Sequence, residues 1–230
     1  MAKSRVARAA DPARFSMEKA RGVARRMAAA LPRMSGAGDF YREMGHLYAI
    51  AERACETVLT AHRPSAPLVC RKGCPYCCRV RVEVTVPEVL YMAEHLRRKL
   101  PPGDRKALAG RMDDVRRRTA GADEQGWVLA NAECPFLVDD CCWVHPVRPF
   151  ACRSVTSMDI DGCRRFYERR DPAVRISQYA YQRQIHTACE MGLVSGVDTG
   201  FPDVCSSSAF SRSLTVIFDV SRGLSTPRPV

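Results

Sequence analysis

Four thiols crowd into Cys70-Arg-Lys-Gly-Cys74-Pro-Tyr-Cys77-Cys78, a stretch of nine residues. Five more, Cys134, Cys141, Cys142, Cys152 and Cys163, follow before residue 164, so nine of the twelve cysteines lie between 70 and 163. Two or three intervening residues place two sulfurs on one side of a tight turn, and Gly73 and Pro75 suit such a turn. Four thiolates serve zinc in a tetrahedron or a 4Fe–4S cube with one sulfur per iron. Hard ions want oxygen, and no cluster of Asp or Glu accompanies the thiols. Adjacent cysteines point in different directions. Cys77 and Cys78 therefore serve two sites or leave one thiol spare, and eight or nine sulfurs suffice for two four-ligand sites.

The reading of thiols as ligands depends on compartment. The start, Met-Ala-Lys-Ser-Arg-Val-Ala-Arg, has no apolar segment followed by a small-residue cleavage site, so a cytoplasmic chain without a secretory signal is expected. No run of 18 apolar residues is present to span a membrane. In a reducing compartment, clustered cysteines act as metal ligands or redox centres rather than disulfides. Vicinal pairs such as Cys77-Cys78 and Cys141-Cys142 would also close strained rings.

The scaffold for these loops reads as mainly α. At 230 residues, 46% apolar and 27% charged, the chain can bury an ordinary core. Asp11-Pro12 predicts a helix start, and Phe15, Ala20, Val23 and Met27 follow at loose helical spacing until Leu31-Pro32. Phe40, Met44, Leu47, Ala51, Ala54 and Val58 mark one face of a helix over 39–62, with Cys55 beside the stripe as a small core residue. Residues 79–86 alternate like a strand or an extended lead-in. Thr85 and Glu88 form a capping box for a helix over 87–99 whose inward residues are Val89, Leu90, Met92, Ala93 and Leu96. Asp104 is expected to cap a further helix to about 120, with Leu108, Met112 and Val115 on one face. Residues 121–131 read as a connector, and the proline-rich stretch from Glu133 to Arg153 as an irregular loop shaped by what it binds. A short helix through Cys163, Phe166 and Tyr167 and a longer one over 173–193, with Cys189 in the core, complete the main part. Gly196, Gly200 and Pro202 predict a loop holding Cys205. A last helix capped by Ser206–Ser208 and a tail over 223–230 disordered by composition are also expected.

These elements suggest a basic arm (1–38), a single irregular helical domain carrying two cysteine-rich metal-binding loops (39–222), and the tail. The net charge is +11, and residues 1–35 hold nine Lys or Arg against Asp11 and Glu18. A basic arm of this kind can meet nucleic acid, an anionic surface or an acidic protein partner, or stay solvated.

The joint pattern of the first stretch, then Cys134-Pro-Phe-Leu137, then Cys142-x5-Arg148-Pro149-x2-Cys152-Arg153 resembles the YkgJ-type cysteine-cluster family, a domain described as chelating zinc or iron. The resemblance covers about residues 66–170, with Thr85-Val-Pro-Glu88 and its helix in the expected place. It implies metal ligands at Cys70, Cys74, Cys77, Cys78, Cys134, Cys142 and Cys152, and Cys163 matches a cysteine that some members carry. Three features depart from the pattern. The first gap has three residues where two are common, His145 stands where an aromatic is usual, and Cys141 is additional. His145 is expected to be a packed or hydrogen-bonded loop residue sooner than a ligand. Arg148 and Arg153 are expected to donate to sulfur or to loop carbonyls, offsetting thiolate charge, or simply to pin the loop.

Three functions are consistent with these residues. The first is a metal-binding protein holding zinc or an iron–sulfur cluster in a structural or redox role. The second is an iron–sulfur-dependent protein-modifying enzyme, since the resembled family includes a flagellin lysine methylase with a similar cysteine pattern. No glycine-rich loop follows a strand to supply a cofactor site for it. The third is a zinc-stabilised nucleic-acid-binding module, against which stand an aromatic content of 7% and basic residues not interleaved with aromatics. Cys70, Cys74 and Cys77 also fit the C-x3-C-x2-C spacing of radical-SAM enzymes. The alternating strand–helix pattern of their barrel is missing, and the second cysteine stretch would be left unexplained.

Overall fold

The computed structural model describes residues 11–30, 33, 36–169, 171 and 173–200. The expectations for Leu31-Pro32, the Cys205 loop, the Ser206–Ser208 cap with its helix, and the 223–230 tail lie outside those residues. The described chain is mainly helical, with one two-stranded hairpin.

Helix α1 (Pro12–Ala30) begins as the sequence predicts, with Asp11 Oδ1 accepting from Ala13 N at 3.1 Å. Ser16, Ala20, Val23 and Met27 form its buried stripe, and the helix lies along α8 (Ala180–Gly200). Gly192 makes this approach possible. A Cβ there would stand 2.4 Å from the Ala24 carbonyl oxygen and 2.8 Å from Ala24 Cα. Ser16 Oγ donates to Gln184 Oε1 across the same seam at 2.9 Å. Residues 12–30, expected within a basic arm, thus place an apolar face in the core while Arg14, Arg21, Arg25 and Arg26 remain exposed.

Helix α2 (Gly36–Ala61) completes this layer, with Met44, Leu47, Ala51 and Val58 buried as its periodicity predicts. Cys55 and Cys189 are both buried here. Cys55 Sγ lies 3.5 Å from Nε2 of His186, which is wholly buried. Burial holds that imidazole down to about 3, and its Nδ1 has no hydrogen-bond partner.

Helix α8 differs from the expected 173–193 at both ends. Its start shifts to Ala180 because the preceding residues run beside a loop: Met158 N donates to Ser177 O at 2.9 Å and Tyr179 N to Thr156 Oγ1 at 3.3 Å. Tyr179 OH then donates to His62 O and, at 3.4 Å, to Val58 O, tying α8 to the end of α2. At the other end the helix runs through Gly196, where a loop was expected, to Gly200. A helical glycine costs about 1 kcal/mol relative to alanine, an amount that packing can override.

Helices α3 (Val86–Lys99) and α4 (Pro102–Arg118) contribute to the same core through Met92, Leu96, Leu108 and Met112. The Thr85/Glu88 capping box is present in α3, and Val89, Met92 and Leu96 are buried. Leu90, expected inward, is 50% exposed, and Tyr91 and His95 occupy the inner face instead. Helix α4 starts at Pro102, two residues before the expected Asp104 cap, so Asp104 lies in the first turn, where an acid suits the dipole. Leu108, Met112 and Val115 are buried as expected. The expected connector at 121–131 contains a short helix, α5 (Glu124–Ala130), and residues 80–85 form no strand.

Two short helices follow: α6 (Phe150–Ser154) carries Cys152 at the end of the second cysteine stretch, and α7 (Ile160–Arg169) carries Cys163 beyond it. Phe150 is the hub between layers. It is wholly buried, stacks on Tyr48 with centroids 4.4 Å apart, and stacks on His186 at 5.7 Å.

Candidate metal centre

The first cysteine stretch is a turn followed by a 3-10 segment. Cys74 N donates to Arg71 O at 3.2 Å, with Gly73 at φ +79°, a left-handed conformation that suits glycine. Tyr76–Arg79 then forms the 3-10 segment carrying Cys77 and Cys78. The second stretch contains a hairpin that sequence reasoning missed. Strand β1 (Leu137–Val138) pairs antiparallel with β2 (Cys141–Cys142), joined by Asp139 and Asp140 at φ +49° and +57°. Positive φ at both turn residues is the type I′ geometry that matches strand twist, and aspartate tolerates it. The Asp-Asp pair between two apolar-flanked segments was the available signal. The hairpin leaves Cys141 exposed and Cys142 half-buried.

One backbone bond joins the two stretches directly: Cys134 N donates to Cys78 O at 2.7 Å. Around that junction, Cys74, Cys77, Cys78, Cys134, Cys141, Cys142 and Cys152 line a cavity of about 380 Å³. Cys70 and Cys163 lie outside its lining. They are tied to Ser157, whose amide donates to Cys70 Sγ at 3.2 Å and whose hydroxyl bonds Cys163. No described cysteine is in a disulfide. Among the described residues, no three His, Cys, Asp or Glu side chains close on one point as a metal ion's coordination shell would require.

Burial sets the acidity of most of these thiols. It pushes Cys134 up to about 12, and it raises Cys152, where the neighbouring thiols of Cys134, Cys77 and Cys142 add to the effect. Cys142 and Cys70 are raised by burial too, opposed by the amides of Val144 and Ser157. Cys77 is the exception. A hydrogen bond from the Cys78 thiol holds it down to about 7 against burial, with help from the Arg148 charge, and the same bond raises Cys78.

The two arginines have different roles. Arg153 is buried and pins the loop: its Nε donates to Arg148 O at 2.9 Å, one terminal nitrogen donates to Pro146 O at 2.7 Å, and the other meets Glu52. Its guanidinium also lies over the Tyr48 ring, 4.8 Å from the centroid. Arg148 lines the cavity, with one nitrogen 3.0 Å from His145 Nε2 and a buried Nε that has no hydrogen-bond partner. His145 is accordingly a hydrogen-bonded loop residue, exposed at the rim.

Glu88 has a further role that the capping box did not reveal. Wholly buried, it accepts from Thr85 N and Thr85 Oγ at 2.9 and 2.8 Å, and also from Phe150 N at 2.7 Å. One carboxylate therefore serves the starts of both α3 and α6, fixing Cys152 relative to α3.

Compared with family models, with curated proteins and with solved structures, the chain matches none. None of the described helices is long and apolar enough to cross a membrane.

The donor types lining the cavity, though no three of them close on one point, are those a soft metal prefers. The cavity has seven thiols against two carboxylates, and one of those, Glu133, is held by Arg79 at 2.6 Å. The orphaned Arg148 Nε is a donor at the cavity wall of the kind that a thiolate sulfur satisfies.

Proposed function

We propose that the chain is a metal-binding protein that holds zinc or an iron–sulfur cluster through cysteine thiolates, in a structural or redox role. The observation that carries this reading is the meeting of two cysteine stretches, far apart in sequence, around one cavity with their thiols free. The reading agrees with what the likeness to the YkgJ-type cysteine-cluster family implies. Metal binding would draw thiols that now line a cavity into a common shell and displace their protons. Thiols spread around a cavity of about 380 Å³ suit a cluster, whose ligands sit at its corners, at least as well as a single ion.

The cavity also favours a second reading, an enzyme that uses its centre on a bound small molecule. Val80, Val82, Met92, Val115 and Trp127 give it an apolar wall, and its volume falls in the range of about 300–1,000 Å³ usual for small-molecule sites.

The test is anaerobic purification followed by metal and sulfide analysis and an absorption spectrum. Iron with acid-labile sulfide and a brown colour identifies a cluster, and stoichiometric zinc in a colourless protein identifies zinc. Protein carrying neither, with thiols oxidised to disulfides, would overturn the proposal.

A further inference from the structure

The end of α1 and the first half of α2 enclose a second cavity, of about 490 Å³, whose lining holds no cysteine. Ala29 and Ala30 of α1 are too short to fill the space between the helices, which leaves Leu47 and Ile50 of α2 as an apolar floor. Both walls are fixed from behind. On α1, Met27 is wholly buried and the Ala24 backbone closes on Gly192; on α2, Met44 is wholly buried. A pocket with such walls is preorganised, which lowers the ordering cost of binding.

The rim carries three guanidiniums and two carboxylates. Arg42 holds Asp39 at 2.8 Å, which pairs off one of each. Among the described residues, Arg26 and Arg33 have no carboxylate within ion-pair distance. Glu43 remains, its carboxylate 3.8 Å from His46 Nδ1. Guanidiniums donate in parallel pairs to phosphate oxygens. A carboxylate beside them repels a second anion but accepts from hydroxyls. The cavity therefore suits one compact anion on a body that is part hydroxyl and part apolar.

We propose that this cavity binds a nucleoside monophosphate. Arg26 and Arg33 take the phosphate, Glu43 accepts from the sugar hydroxyls, and Leu47 and Ile50 lie against the base. The volume falls in the range of about 300–1,000 Å³ usual for small-molecule sites. Inorganic phosphate would leave Glu43 and the floor unused. A nucleic-acid strand would meet Asp39 and Glu43 where its backbone needs an unbroken cationic groove. The site is separate from the thiols and does not depend on what they hold.

Isothermal titration calorimetry of the full-length chain tests this, with the four ribonucleoside monophosphates and then, for the tightest, its nucleoside and inorganic phosphate. The monophosphate should bind at least about tenfold more tightly than either part, because each part lacks one set of contacts. The Arg26→Gln/Arg33→Gln double variant should weaken the monophosphate by about tenfold or more and keep its circular dichroism and its iron, zinc and sulfide content, since both side chains are exposed. Glu43→Gln should weaken the monophosphate without weakening inorganic phosphate. No heat with any monophosphate, inorganic phosphate binding as tightly as the nucleotide, or unaltered affinity in the double variant would overturn the site.

Discussion

The layer of α1, α2 and α8 and the region of the cysteine loops are built on different principles. In the helical layer, Met27, Met44, Leu47, Val58, Ile185 and Leu193 are almost wholly buried, and regular backbone hydrogen bonds satisfy each helix. Apolar burial and close packing account for its order. In the loop region, short 3-10 turns, a hairpin of two-residue strands and a five-residue helix surround a cavity lined with thiols. Phe136, Val144 and Val147 anchor the region to the core, while its thiol-lined segments lack the regular backbone hydrogen-bond ladders that offset the entropy of ordering the helices. On the proposed function, a metal would contribute most to the loops, with the helical layer standing without it. Glu88, Arg153 and Phe150 join the two regions.

The most damaging change expected is at that joint. Phe150→Ala should cost about 3–5 kcal/mol, the usual range for a fully buried phenylalanine, and should weaken both regions together. Urea unfolding followed by circular dichroism measures the loss, and metal content should fall with it. Retention of full stability would show that Phe150 does not couple the regions.

Gly192→Ala attacks the helical layer alone. The added Cβ meets the Ala24 backbone, which cannot move aside cheaply, and a cost of up to about 3 kcal/mol is expected. Thiol-bound metal per folded chain should stay at the wild-type value. A parallel loss of metal would break the distinction between the regions.

His186 gives the helical layer a pH dependence. Its folded-state value of about 3 lies below the ordinary 6.5, so above pH 6.5 neither state binds the proton and no stability is lost. As the pH falls below 6.5, the unfolded chain takes up a proton that the folded chain refuses, and stability declines until about pH 3. Between pH 7 and 5 the expected loss from this group is about 2 kcal/mol. Denaturation midpoints at the two pH values test this, and His186→Met should remove that part of the slope.

The smallest effect belongs to Cys141→Ser. This exposed thiol at the hairpin turn should change stability by less than about 0.5 kcal/mol and leave metal content unchanged. Metal loss on this substitution would show that Cys141 replaces one of the assigned ligands.

Legibility in the sequence followed the same division. The α2 stripe, the Asp11 cap, the Thr85/Glu88 box and the α4 face were readable because each depends on residues within a few positions of one another. Leu90 was misplaced, since the same spacing allowed either it or Tyr91 to face inward and only the partner helix decides. The start of α8 was shifted by Tyr179, whose partners, Thr156, Val58 and His62, lie far off in sequence. At the centre, cysteine types and spacing gave the candidates, but the bond from Cys134 to Cys78 and the reach of Glu88 to Phe150 are long-range contacts that no local pattern encodes.

Hydrogen exchange of the full chain, loaded with the proposed metal and after chelation under reducing conditions, tests the central claim most directly. Chelation should remove protection from residues 69–80 and 132–158 while amides of α1, α2 and α8 keep theirs. Equal protection in the loops before and after chelation, or collapse of the helical layer with them, would contradict the account.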